Sequence, residues 1–481
     1  MVVGLHYLSA IQKEGLQIWD ASHNETFCSH PYLLFTTADG PGLVIWDGLI
    51  GHCGKNGCQL YCGVKAQQNV TPHFHYYPAL LCSHNPCVTS NHPDISAFHI
   101  PPAGNQQYSM NLFHLMSLPN NYQFESHHTE MGISKPLVIL RLQPSHSLSV
   151  PLCMMNNIMH LTANLSDLMI TLWCSEITCM STDDINTWDW AVLHDDHVWQ
   201  AHGCAIEDAG QHLPGSFDTK PCNITVKSNS DYKTWEYTIY MFALAPGLLH
   251  DILPKCYWIN LCKLVRGFQI LSQHEIAHDQ VLQATVLLAA WEHEFEELYY
   301  QHRNDQIHFI QPCVHQVIYL GPEIFQKGPS ICTAQWTIEH TIGYLKWEIC
   351  QPSNYLTNFA NKGLRHAHVN MLLALLPNLD DSWPHLPPGA IELSDGYILN
   401  KSDKVPVYPS HGTGGVIAEY LHYPNPVPRI KRWACLLLPN GQIAQSVWRE
   451  LLRSPNNLHI SQMIKVFLFY FAHTRSTDIF F

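Results

Sequence analysis

The most informative stretch of this chain is residues 36–81, TTADGPGLVIWDGLIGHCGKNGCQLYCGVKAQQNVTPHFHYYPALL. The short apolar run Leu33–Thr37 just before it has the composition of a β-strand, and the turn residues of Asp39-Gly40-Pro41-Gly42 end that run. The pattern therefore predicts a carboxylate, Asp39, just beyond a buried strand. Open α/β sheets hold their functional sites at such strand ends.

Two closely spaced cysteines, Cys58 and Cys62, follow in a Gly-rich segment, and His75 lies downstream. Thiolate sulfur and imidazole nitrogen are the ligands that zinc prefers. The spacing predicts a structural zinc site formed by Cys58, Cys62 and His75, and His73 is the alternative histidine. Further candidate ligands are Cys53, Cys82, His84 and Cys87. The alternative is a pair of buried thiols that bind no metal.

The segment resembles the catalytic core of CACTA (En/Spm) transposases, including their fungal Plavaka-like relatives. In that family an Asp-x-Pro turn carries the second catalytic carboxylate, and a Gly-His-x-Gly...Cys...Cys...Tyr-x-Pro knuckle follows it. Residues 15–27, GLQIWDASHNETF, resemble the family's approach to that turn. Residues 232–236 resemble its Lys-x-x-acidic helix start, and residues 335–354 resemble its later Gly-x-Leu-Lys...Pro block. The likeness consists of short motifs spaced over most of residues 15–376.

The resemblance implies a DDE enzyme, in which three carboxylates on a ribonuclease-H-like sheet hold two Mg²⁺ or Mn²⁺ ions. Such an enzyme cuts double-stranded DNA and joins strands at transposon ends. By the resemblance, Asp39 is the second carboxylate, Glu236 is the third, and Glu339 is the alternative to Glu236. The alternatives are that Asp39 is only a turn residue and that Glu339 lies on the exposed surface of a helix.

The first carboxylate of the family lies upstream of the motif in residues 15–27, and no Asp occurs before Asp20. We therefore expect a truncated core. Because two carboxylates cannot organise two metal ions as three do, we also expect the chain to be catalytically inactive as it stands.

The composition is unusual for a protein that acts on DNA. The 481 residues include 33 His but only 25 Lys and Arg, and the net charge is −14, whereas DNA-binding surfaces are basic. Deamination of methylated cytosine in CGN arginine codons would yield His, Gln, Cys and Trp codons. His340 stands where the family motif has Arg. These observations predict a mutationally decayed transposon copy, and the alternative is an ordinary acidic protein.

Other features indicate the class of protein and its compartment. We find neither a signal peptide nor an apolar run long enough to span a membrane, so we expect a soluble protein without a membrane partner. The 17 cysteines are an odd number, which favours free thiols over disulfides. The resemblance implies a nuclear protein if expressed and a cytoplasmic one otherwise, with a homo-oligomer as a possible assembly.

The fold class predicted is α/β plus α, with an incomplete ribonuclease-H-like core. We expect a partial core with the Cys/His knuckle over residues 1–84 and an insertion over residues 85–231. A helical region over residues 232–376 would complete the core, and a small β-rich unit would occupy residues 377–481.

Local patterns predict individual elements. Apolar spacing predicts helices at Asn156–Trp173, Tyr257–Leu271 and Gln280–Arg303. The composition of Asp183–Pro221 predicts loops. In the β-rich unit, Asp395-Gly396 and Asn440-Gly441 predict two hairpin turns.

Two further patterns bear on function. His274-Glu275-Ile276-Ala277-His278 is a His-Glu-x-x-His motif, which on a helix would form a zinc metalloprotease site. The nearest candidates for a third ligand, Glu292, Glu294 and Glu297, lie too far along the same helix. The acidic run at residues 292–297 is itself interpreted as the solvated face of a helix. A non-enzymatic DNA- or protein-binding module is the remaining alternative.

Overall fold

In a computed structural model of the chain, 57 % of the described residues are helical and 9 % lie in strands, an architecture compatible with the predicted α/β plus α class. The structure describes residues 2–20, 23–68, 75–84, 92–100, 104–142, 144–213, 220–227, 232–349, 353–376, 379, 390–393, 397–402, 405–409, 411–420, 429–438, 443–445 and 469–471. It divides into two units. Unit 1 comprises Met1–His202 and Asp231–Thr341, and unit 2 comprises Gly203–Ser230 and Ile342–Phe481. The predicted boundaries instead separated residues 85–231 from the core.

The α-helices, in chain order, are α1 (Val2–Glu14), α2 (Gly40–Asp47), α3 (Asn105–Ser117), α4 (Asn121–Met131), α5 (Ile158–Trp173), α6 (Asp196–Ala209), α7 (Ile224–Lys227), α8 (Thr234–Ile239), α9 (Ala245–Leu248), α10 (Lys255–Leu271), α11 (His278–Phe295), α12 (Pro312–Gln316), α13 (Leu320–Lys327), α14 (Ser330–Thr333), α15 (Trp336–Glu348), α16 (Tyr355–Leu375) and α17 (His411–Tyr420). Short 3₁₀ helices cover Ala97–His99, Val138–Arg141, Pro144–His146, Ile185–Thr187, Gly210–His212, Asn304–Phe309 and Val317–Tyr319. Two π-helical turns, Tyr240–Leu244 and Glu296–Tyr300, interrupt or extend helices of unit 1.

The strands are β1 (Leu16–Asp20), β2 (Glu25–Ser29), β3 (Gln67–Gln68), β4 (Tyr76–Tyr77), β5 (Ile391–Glu392), β6 (Ile398–Ser402), β7 (Ile430–Leu437), β8 (Ile443–Gln445) and β9 (Phe469–Phe471). Within unit 1, β1 pairs with β2 and β3 pairs with β4, both antiparallel. In unit 2 the order is β5-β6-β7-β8, and β9 pairs with the start of β7. All pairings in this five-stranded sheet are antiparallel.

Helices α5, α10 and α11 supply much of the core of unit 1. The predicted helix at Asn156–Trp173 is confirmed as α5, where the side chain of Asn157 accepts a hydrogen bond from the backbone N–H of Met159 at the helix start. Helices α10 and α11 pack closely because Gly267 has no side chain; a Cβ there would lie 2.6 Å from Leu288. The side-chain amide of Asn260 also donates to the backbone carbonyl of Trp291.

An aromatic cluster covers one end of this helical core. Trp190 is 1 % exposed and lies edge-on to Tyr299 and Phe309, and Trp188 stacks on Trp190. These tryptophans come from the stretch predicted to be loops. That prediction is wrong for α6, because Trp, His and Asp within a helical stretch resemble loop composition when burial is not known.

The strand predicted at Leu33–Thr37 is also not formed. Leu33 and Thr36 make only isolated parallel bridges, to Ser147 and Met154 respectively. Turns interrupt the partner segment, where Cys153 N–H donates to Ser149 O and Met154 N–H donates to Pro151 O. A partner that is not extended cannot sustain a ladder of hydrogen bonds, so pairing is limited to single residues.

Where a β-rich unit was predicted, strands β5 to β9 form an antiparallel sheet within unit 2. Glu392 pairs with Ile398, and Leu437 pairs with Ile443, as expected for two hairpins. The predicted turn residues 395–396 and 440–441 lie outside the described residues. Trp433 on β7 and Leu399 on β6 form the small core of this sheet.

Candidate metal centre

Cys58 and Cys62, two of the three cysteines of the knuckle (residues 51–62), are held on a tight turn. The backbone N–H of Tyr61 donates to Cys58 O at 2.9 Å, and Tyr61 adopts a left-handed conformation with φ of 51°. Cys62 is buried, and Cys58 is partly exposed. The turn therefore brings two thiols together within five residues of chain.

The third member of the centre comes from α12, far along the chain. His315 is 2 % exposed, and its Nε2 lies 3.7 Å from the Sγ of Cys62. The Sγ atoms of Cys58 and Cys62 and a ring nitrogen of His315 all lie within 4.8 Å of one another. Among the described residues this is the one group of three or more His, Cys, Asp or Glu side chains with that geometry. His75, the predicted third ligand, is exposed and lies outside the group.

The three donors fit a zinc ion in both chemistry and spacing. Zinc binds sulfur at about 2.3 Å and nitrogen at about 2.0–2.1 Å in tetrahedral sites, which places neighbouring ligand atoms roughly 3.6–3.8 Å apart. The 3.7 Å between Cys62 Sγ and His315 Nε2 matches this separation. A zinc ion could therefore be bound with small side-chain adjustments.

The neighbours of the two thiols shift their pKa values in opposite directions. Hydrogen bonding from Cys62, with a contribution from His315, holds the pKa of Cys58 well below its ordinary value. The same interaction with Cys58, together with burial, raises the pKa of Cys62 well above its ordinary value. The pair therefore favours a single thiolate at Cys58, which is the form that binds a metal.

A small recess adjoins the cluster and opens to solvent. Cys58, His315, Tyr319 and His52 all line it. The hydroxyl of Tyr319 lies 3.1 Å from His315 Nε2 and 3.8 Å from Cys58 Sγ. The centre is thus reachable from solvent on the side of this recess.

The carboxylates assigned by the family resemblance serve as helix caps or surface residues. Asp39 Oδ1 accepts from the N–H of Gly42 at 2.8 Å as the N-cap of α2. Glu236 is 2 % exposed, and its Oε2 accepts from the N–H of Lys233 at the start of α8. Glu339 is exposed on α15. None of the three belongs to a group of metal ligands in the described part of the chain.

The His-Glu-x-x-His motif does not lie on a helix. Helix α11 begins only at His278, so His274 and Glu275 precede it. His278 contacts the ring of Phe325, and His274 Nδ1 lies 3.9 Å from Cys332 Sγ. The metalloprotease interpretation needs both imidazoles on one helical face, and the structure does not provide that face.

Sequence reasoning missed a buried pair of carboxyl groups, Glu292 and Glu296, termed the acid pair below. Both residues are 0 % exposed, which corrects the prediction of a solvated helix face at residues 292–297. Glu296 accepts hydrogen bonds from the N–H groups of Leu80 and Leu81, each at 2.7 Å. The helical spacing could have revealed this pair, because Leu288, Glu292 and Glu296 lie four residues apart and therefore share one face of the helix.

Burial raises the pKa of Glu296 to about 7, although the two backbone donors oppose this shift. Burial and the negative charge of Glu296 raise the pKa of Glu292 well above its ordinary value. Within the described chain, neither oxygen of Glu292 accepts from any group outside the pair. Burial and the neighbouring carboxyl group therefore favour the neutral form of Glu292.

Comparisons of the chain with protein-family models, with curated proteins and with solved structures found no match. None of the helices described here combines the length and the apolar character needed to cross a lipid bilayer.

The acid pair predicts how stability depends on pH. A carboxyl group whose pKa is raised by folding binds its proton more tightly in the folded state, so its contribution is full below about pH 4.5 and is lost as pH rises through about 7. We expect the free energy of unfolding, measured by urea titration, to fall between about pH 5 and about pH 8. Glu292→Gln, which resembles the neutral acid, should be more stable than the wild type by about 1–3 kcal/mol at the upper pH.

Glu294→Gln is the matched control, because Glu294 lies in the same helix but forms a partly exposed ion pair with Lys263. It should keep the pH dependence of the wild type. Equal slopes for the wild type and Glu292→Gln would contradict the assignment of a neutral buried acid.

Proposed function

We propose that this protein derives from a CACTA-type DDE transposase, whose ancestral reaction was cleavage of double-stranded DNA and strand transfer at transposon ends. The proposal rests on the motifs that resemble this family. The observation that carries it is the meeting of the knuckle cysteines with His315 from the later helical region. The Asp39 turn, the knuckle and the helix start at Glu236 also belong to the same unit.

An incomplete ribonuclease-H-like core is part of this proposal. We assign to it the β1–β2 hairpin and the bridged segment at residues 33–36, which precede Asp39. The same ancestry implies the nucleus as the compartment and double-stranded DNA as the partner, with a homo-oligomer as the assembly.

We further propose that the present chain does not catalyse strand transfer. Two-metal catalysis requires carboxylate oxygens that are free to bind Mg²⁺ or Mn²⁺. Asp39 and Glu236 each use an oxygen to accept a backbone hydrogen bond at a helix start. Burial of Glu236 adds a desolvation cost to any charge that is not compensated.

A nicking assay tests this inactivity. Purified protein incubated with supercoiled DNA and Mg²⁺ or Mn²⁺ should give no more nicked product than the buffer alone. Asp39→Asn and Glu236→Gln should give the same background. Metal-dependent nicking that Asp39→Asn abolishes would show that the carboxylates still act as a catalytic site.

The composition of the gene tests the ancestry. Decay by cytosine deamination predicts His, Gln, Cys and Trp codons in TG or CA contexts wherever the family motif has Arg. The codon for His340 is the first to inspect, because it stands at such a position. Codons without this enrichment would contradict the decayed-copy hypothesis.

We propose that Cys58, Cys62 and His315 bind one structural Zn²⁺ ion. The cysteines would supply thiolates, and His315 would supply Nε2. Metal binding would take the Nε2 lone pair that Tyr319 now contacts, while the Tyr319 hydroxyl could keep its contact with the Cys58 sulfur. The ion would join the knuckle to α12. It would also replace the proton that lies in the hydrogen bond between Cys58 and Cys62.

Metal analysis of the purified protein should therefore find about one zinc per chain, since the described residues hold one cluster of suitable ligands. Cys58→Ser and His315→Ala should each lose most of this zinc. Cys53→Ser and His75→Ala are matched controls, because Cys53 belongs to the knuckle and His75 follows it in the chain, yet both lie outside the cluster. A wild-type protein without zinc, or a His315→Ala variant that retains it fully, would refute the site.

A further inference from the structure

The cluster of Cys58, Cys62 and His315 leaves one position of a zinc tetrahedron to be filled. Structural zinc sites are almost always four-coordinate, whereas catalytic sites keep the fourth position for water or substrate. Which of these applies here depends on the side chains around the adjoining recess.

One side chain on the wall of the recess has the right chemistry for the fourth position. Apart from the cluster itself, the described residues that line the recess are mostly apolar or carry amide groups, such as Gln59, Asn156 and Gln316. Neutral amides are poor ligands for zinc compared with imidazole. The Tyr319 hydroxyl already contacts His315 Nε2 and Cys58 Sγ, and a phenol is not among the usual zinc ligands. His52 is the remaining imidazole on this wall.

The turns of the knuckle bring His52 close to Cys58. Gly54 N–H donates to Gly51 O, and Gly57 N–H donates to Gly54 O, so two successive turns reverse the chain. A Cβ at position 57 would lie 2.8 Å from the backbone oxygen of His52. The backbone of His52 is therefore beside the residue that precedes Cys58.

The side chain of His52 is free to turn towards the cluster. It is exposed, and its imidazole makes no hydrogen bond to any residue that the structure describes. Its ring nitrogens lie outside the 4.8 Å group, so coordination requires a change of rotamer. Exposed side chains exchange rotamers within nanoseconds, so this change presents no kinetic barrier.

The neighbouring thiol of Cys53 is a weaker candidate. Cys53 is not part of the wall of the recess described above, and its sulfur lies outside the cluster.

We propose that His52 is the fourth ligand, so that the chain holds zinc in a closed Cys₂His₂ site formed by His52, Cys58, Cys62 and His315. This inference rests on the zinc site proposed above and adds its coordination. A closed site fixes the loop 51–57 onto α12 and leaves no position for an activated water. The centre is then structural and does not hydrolyse substrates.

Cobalt(II) provides the test, because its visible absorption reports the coordination number and its near-ultraviolet charge-transfer bands report the thiolates. Wild-type protein titrated with Co²⁺ should show the strong visible bands of a tetrahedral site. His52→Ala should keep the two-thiolate charge transfer but change the visible bands. Since loss of even an outer-shell partner weakens metal binding by about 10–100-fold, loss of this ligand should weaken Co²⁺ affinity at least about tenfold.

Added imidazole should restore the affinity and the visible spectrum of His52→Ala, which a purely structural role for His52 would not allow. If His52→Ala folds poorly, His52→Cys tests the same proposal. The Co²⁺ complex of His52→Cys should show the charge-transfer absorption of a third thiolate. His75→Ala should match the wild type throughout.

The possible failures are distinguishable. If the wild type binds no Co²⁺, the zinc site itself is wrong. If the wild type binds Co²⁺ and His52→Ala has the same affinity and spectrum, the three-residue site stands and His52 is not a ligand.

Discussion

The structure of unit 1 depends on hydrogen-bond partners for the backbone groups of a buried segment that has no regular secondary structure. Residues 79–81 have almost no exposed surface, yet they lie in no strand or helix. Buried N–H and C=O groups must find partners, since an unpaired one costs roughly as much free energy as a lost hydrogen bond. Glu296 accepts from two of the N–H groups, and the Gln67 side chain donates to the carbonyls of Ala79 and Leu81. These two polar side chains thus supply the backbone hydrogen bonds that a neighbouring strand would supply in a sheet.

This solution constrains the charges of the helical core. A carboxyl group that receives two backbone N–H groups is stabilised as an anion, but full burial opposes that charge. Glu292, one helical turn before Glu296, lies within the same buried environment. Because two adjacent buried anions would repel each other in a low-dielectric interior, one carboxyl group keeps its proton. Residues 80–81 are therefore held by the buried carboxyl group of Glu296, which lies beside a second buried acid.

Local patterns predicted those parts of the fold that are encoded locally. The apolar spacing at α5, α10 and α11 marks these helices, and the Asn440-Gly441 turn signal marks the pairing of β7 with β8. The paired cysteines were likewise visible from their spacing. His315 was not, because 253 residues separate it from Cys62 and 33 histidines offer no local means of choosing one. Proximity in the chain favoured His75, whereas the fold brings α12 to the knuckle.

The same argument explains why acidic residues were harder to interpret than cysteines. A carboxylate is both a metal ligand and an acceptor for backbone N–H groups, and sequence alone does not separate these roles. Asp39 and Glu236 cap helices, Glu296 holds residues 80–81, and Glu323 accepts from Asn156 N–H while pairing with Lys327. In each case a carboxylate oxygen is occupied by the protein itself. The thiols of Cys58 and Cys62 do not stabilise the backbone in this way, since sulfur is a weak hydrogen-bond partner. Metal chemistry in this chain is therefore expected at the soft ligands of the knuckle, while the hard oxygen ligands stabilise the fold.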